Sequence, residues 1–199
     1  MRRLLLSLSV LCLLSACADG LRQLGQPVEP LGDFRLGFSE VVAPNLVKGP
    51  LSREATAEEW TAAVDAAIEE RFGRFEGTRL YHLGISVEGY VLAQPGVPLV
   101  LSPKSALILR VTAWDDASQS KLNEEAQLIT VLEAVSPETV IGSGLTQSKE
   151  EQMRALAANA ALKVETWLRR RQAEDGWFGP APEGEAPEAG PEPVAAEAG

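Results

Sequence analysis

Cys17 is the residue whose chemistry the sequence constrains most. It follows Leu14-Ser15-Ala16 and a stretch from Leu4 that is apolar apart from two serines. A thiolate can end as a disulfide, a metal ligand or a thioether. The only other cysteine, Cys12, lies inside the apolar stretch, so the chain offers Cys17 no partner for a disulfide or a thiolate metal site. His82 is the sole histidine. It has no neighbouring nucleophile in sequence, and on its pattern it faces away from Leu83 and Ile85, as a surface or half-buried structural histidine would. The acidic pairs Glu58-Glu59, Glu69-Glu70, Asp115-Asp116, Glu124-Glu125 and Glu150-Glu151 fit no calcium-loop spacing, and adjacent side chains diverge on helices and strands. Gly142-Ser143-Gly144 precedes a helix but lacks the lysine of a phosphate loop. No catalytic residue, metal site or cofactor is expected.

Met1-Arg2-Arg3, the apolar stretch and the small residues Ser15 and Ala16 have the order of an exported signal peptide. The stretch is about half the roughly 20 residues that a spanning helix needs. Leu14-Ser15-Ala16-Cys17 resembles the bacterial lipobox. The resemblance implies cleavage between Ala16 and Cys17 and a diacylglycerol thioether on the Cys17 sulfur, tying the chain to a membrane. Several acyl chains anchor stably, since each buried CH₂ contributes about 0.8 kcal/mol. The same resemblance, with Ala18 where an aspartate after the cysteine would favour retention at the inner membrane, implies the outer membrane with the domain facing the periplasm; Asp19 keeps the inner membrane open.

Loss of residues 1–16 leaves 183 of the 199 residues and takes the formal charge from −10 to −12, because Arg2 and Arg3 go with the leader. So acidic a chain is repelled by nucleic acid, and nucleic-acid binding is excluded. Residues 17–33 mix Gly, Pro and polar residues without a period. They read as the lipidated cysteine and a flexible tether spanning on the order of 20–25 Å. Residues 34–175 are patterned and form one globular domain. Residues 176–199 are rich in Pro, Ala, Gly and Glu, with no Lys or Arg after Arg171, and read as a disordered acidic tail.

Within the domain, Phe34 to Phe38 alternates as a strand, extending towards Pro44. Thr56 with Glu59 forms a capping box, and Trp60, Val64, Ala67 and Ile68 recur at helical spacing up to Gly73. Tyr81, Leu83, Ile85 and Val87 alternate with polar residues as a half-buried strand. Further strands run from Ala106 to Trp114 and from Ala126 to Val135, with a turn at Asp115 to Ser118. Ser148 and Glu151 open the last helix. Its residues Met153, Leu156, Ala157, Ala160, Val164, Trp167 and Leu168 share an arc of about 120°. Arg169 to Arg171 close it against the helix dipole. The order β-α-β-β-β-α predicts an α+β fold: an antiparallel sheet of three to four strands with two helices on one face.

Two apolar segments are candidate partner contacts. Val97, Leu99 and Leu101 lie in a proline-fenced linker, either an exposed docking loop or an edge segment against the core. Trp177 and Phe178 either anchor a partner or fold back over the last helix. The order of elements loosely resembles domains of outer-membrane accessory lipoproteins. The expected role is a non-catalytic structural or assembly accessory acting through an envelope protein partner. The alternative is a small-ligand binder, holding an apolar or cell-wall-derived molecule in a pocket lined by Trp60, Trp114 or Trp167.

Overall fold

The computed structural model describes residues 20–94, 105–133 and 148–182. A short helix α1 (Gly20–Gln23) is followed by β1 (Phe34–Val42), β2 (Val47–Lys48), α2 (Ala57–Phe72), β3 (Arg79–Val91), β4 (Ala106–Asp115), β5 (Ser120–Lys121), β6 (Gln127–Leu132) and α3 (Lys149–Asp175). The fold is α+β, as expected, although the described sheet has six strands, two of them only two residues long, where three to four were expected. β1 and β2 lie in succession along one side of β3, and β6 and β5 along the far side of β4.

Both capping boxes form. The Thr56 and Ser148 hydroxyls accept from the backbone N–H of Glu59 and Glu151, and each glutamate carboxylate accepts from its cap's N–H. Gly73 ends α2 as expected. In β3 the predicted alternation is exact: Tyr81, Leu83, Ile85 and Val87 are buried, and the residues between them are half-buried. α2 and α3 pack on that buried face with Trp60, Val64, Ile68, Leu156, Val164 and Leu168 inward. A β-bulge between Val87 and Gly89 shifts the register against β4. Beyond it Tyr90 turns into the core, stands 5.3 Å from Trp60, and its hydroxyl bonds both the N–H and the carbonyl of Ala55 before α2.

Four further expectations need correction. β3, β4, β5 and β6 are antiparallel, but β1 and β2 run parallel to β3. The reason is the crossover: α2 carries the chain back to the end where β1 began, and strands joined that way lie parallel. Second, the described part of the supposed tether is packed. Gly20 and Leu31 are buried, and α1 rests on α3. Third, the start of the supposed tail belongs to the fold. Phe178 is fully buried, in edge-to-face contact with Phe34 and Tyr81 at centroid distances of 5.1 and 4.8 Å. Fourth, α3 does not close at Arg171 but runs to Asp175 and stops at Gly176, whose φ of 67° is left-handed. Arg171 is spent on Glu174 and Asp175 one turn ahead.

Candidate functional site

Among the described residues two surfaces are candidates for function: the point where the chain enters the domain, and the face of the sheet away from the helices.

At the entry point, the Gly20 N–H donates to Asn159 Oδ1 at 2.7 Å, and its carbonyl accepts from Arg71 Nη2 at 2.6 Å. A Cβ at position 20 would collide with the backbone of Ala158, so only glycine fits. Arg71 Nη1 is paired with Glu165 Oε2 at 2.8 Å, and Glu165 Oε1 accepts from Arg169 Nε at 2.8 Å. Burial pushes the Glu165 carboxyl pKa up, but the hydrogen bonds from Arg71 and Arg169 outweigh it and hold the group below its ordinary range. Arg169 also donates to the Glu29 carbonyl at 2.8 Å, and Arg74 to that of Leu24 at 2.7 Å.

Arginines of α2, of the turn after it and of α3 thus satisfy backbone carbonyls of a segment with little regular structure of its own. Sequence reasoning missed this. Leu21, Leu24 and Leu31 among the glycines and prolines were its one signal. Beside Gly20 an open groove of about 300 Å³ runs between α2 and α3, floored by Leu21, Ala63, Ala67, Met153 and Ala158.

The other surface is the uncovered sheet face. Phe38 of β1, His82 of β3 and Trp114 of β4 are neighbours in one cross-strand row. Phe38 is 57% exposed, and its ring stacks on that of His82 at 4.1 Å. The aliphatic part of the face continues with Val42, Leu128 and Leu132, each at least 43% exposed. At Gly84 the missing side chain leaves a depression of about 320 Å³ between Phe38, Glu40 and Trp114, closed at one end by Asp116 and Gln119. His82 Nε2 donates to Asp116 Oδ1 at 3.0 Å, while Nδ1 is buried with no hydrogen-bond partner. This is a histidine–carboxylate pair without a nucleophile, set in an apolar, partly aromatic surface. Among the described residues no cluster of His, Cys, Asp and Glu is placed to hold a metal ion.

Of the residues singled out by sequence, Ala16, Cys17, Val97, Leu99 and Leu101 lie outside the described residues. Phe178 cannot be a surface contact, because it fills the aromatic core. Trp177 is half-buried, with its ring 5.5 Å from Trp167 and perpendicular to it. Of the three tryptophans offered as pocket linings, only Trp114 borders an open depression among the described residues, and that depression lies on the open sheet face rather than between sheet and helices. Trp60 and Trp167 are packed in the core, whereas Trp114 is on the opposite face of the sheet. No described helix is long and apolar enough to cross a membrane.

The chain matches no family model and no curated protein sequence. Among solved structures it is similar to a Xanthomonas campestris protein of the DUF330 family, at 12% identity and a TM-score of 0.42, over 76% of this chain and 93% of that one. A minor lipoprotein from Acinetobacter baumannii aligns at 15% identity and a TM-score of 0.30, over 69% and 94%. The PelC dodecamer from Paraburkholderia phytofirmans aligns at 10% identity and a TM-score of 0.37, over 69% and 89%. All three likenesses are distant.

Proposed function

We propose that the protein is a non-catalytic lipoprotein of the bacterial envelope, anchored through Cys17 and facing the periplasm from the outer membrane. It acts as a structural or assembly accessory through protein contacts. The observation that carries the contact role is the uncovered sheet face. Phe38, Val42, Trp114, Leu128 and Leu132 keep a large apolar area in water on a domain that has already buried its core, and such patches mark interaction surfaces. Exposed aromatics at a patch centre are the usual anchors of a protein interface. Val97, Leu99 and Leu101 are a second candidate contact.

The test is crosslinking in intact cells, followed by identification of the attached protein. Phe38→Asp and Leu128→Asp should abolish the crosslinked species while leaving the circular dichroism unchanged, since both side chains are more than half exposed and neither belongs to the core. A crosslinked species that survives both changes removes the sheet face as the contact. The same loss produced by Leu99→Asp alone would move the contact to the linker.

A further inference from the structure

The entry point fixes more than the first turn of the fold. Gly20 is three residues from Cys17, and three extended residues reach roughly 10 Å. Gly20 is also immobilised, by Asn159 and Arg71 at 2.7 and 2.6 Å and by a backbone contact with Ala158 that leaves no space even for a methyl group. The Cys17 backbone therefore lies within about 10 Å of Gly20, and the next residue, Leu21, lines the groove between α2 and α3.

We propose that this groove is the membrane-apposed surface: the bilayer that holds the Cys17 lipid lies against Leu21, Ala66 and Arg154, and the open sheet face is held away from it. The inference rests on the lipid-anchor reading and adds an orientation to it. The groove suits a lipid surface in two ways. Its floor is apolar and shallow, formed by Leu21, Ala63, Ala67, Met153 and Ala158. Its rim carries both signs of charge, with Glu59 paired to Lys149, and Glu70 and Glu150 beside Arg154. A mixed rim on a mature chain of formal charge −12 fits zwitterionic rather than anionic headgroups. An aqueous spacer of the kind a flexible tether would supply is absent from residue 20 onwards, so the domain is held close to the lipid.

The mature lipidated chain has its single cysteine blocked, so one introduced cysteine can be labelled uniquely. Ala66→Cys on the groove and Leu128→Cys on the open sheet each receive an environment-sensitive fluorophore. Both proteins are then reconstituted into phosphatidylcholine vesicles containing headgroup-quencher lipid. Ala66 and Leu128 are both exposed, so neither substitution disturbs the core. The expected result is a several-fold greater loss of fluorescence at Ala66→Cys than at Leu128→Cys. A Gly/Ser insertion of about 15 residues after Asp19, with a root-mean-square length of roughly 20 Å, should abolish that difference. Equal quenching at the two positions, or stronger quenching at Leu128→Cys, overturns the orientation while the anchor stands. An intact mass showing unmodified Cys17 overturns the anchor reading and the orientation together.

Discussion

Arg71 and Glu165 meet between α2 and α3 with side chains only 2% and 10% exposed. Removing one partner of such a pair leaves a buried charge uncompensated, which costs about 3–5 kcal/mol. Glu165→Ala should therefore lower the unfolding free energy by about that amount in urea titration. It should also make the bonds after residue 20 more sensitive to protease, because Arg71 holds the Gly20 carbonyl. The pH dependence follows from the depressed carboxyl. The folded state binds this proton more weakly than the unfolded chain, so the stabilisation is complete above the ordinary glutamate value of 4.5 and is lost as pH falls below it. Stability measured from pH 6 downwards should decline more steeply in the parent than in Glu165→Gln, which has no carboxyl to titrate. Nothing in the sequence around either residue marks them as partners. Arg71 reads as a cation at the end of a helix, and Glu165 falls on a stretch whose polar positions look solvated.

At the scale of elements, local signals were sufficient wherever a boundary depends on neighbours in sequence. Thr56 with Glu59 and Ser148 with Glu151 cap the helices they were expected to cap, because a capping box closes within four residues. The far end of α3 was misplaced for an equally local reason. Arg169 to Arg171 resemble a dipole-matched terminus, whereas the stop is Gly176, in a left-handed conformation five residues beyond Arg171. A Cβ built there meets no atom within 4 Å, so Gly176→Ala isolates the backbone term. It should cost about 1–2 kcal/mol, read as a lowered denaturant midpoint with an unchanged slope. Fraying of the α3 terminus would also release Phe178, whose N–H donates to Gln172 Oε1 at 2.7 Å and whose carbonyl accepts from the Asp33 N–H at 3.0 Å.

Over the whole molecule, the two chain segments that looked like loose ends meet. Gly32 and Asp33 lie against Phe178 and Gly179, and the Phe34, Tyr81 and Phe178 rings close the core beneath them. A chain ending at Pro182 should keep this closure, and one ending at Gly176 should lose it. The stability difference between the two is expected near 3–5 kcal/mol, the usual cost of deleting a buried phenylalanine, and is checked by paired denaturant titrations. The residues alone determined the α+β class, the two long helices and the inward face of β3, because periodicity and capping act over a few residues. The parallel pairing of β1, the packing of residues 20–33 and the burial of Phe178 were decided only by tertiary structure. They depend on hydrogen bonds and ring contacts between positions up to about 150 residues apart, such as Arg169 with Glu29 and Phe34 with Phe178, and bonds of that span leave no local pattern to read.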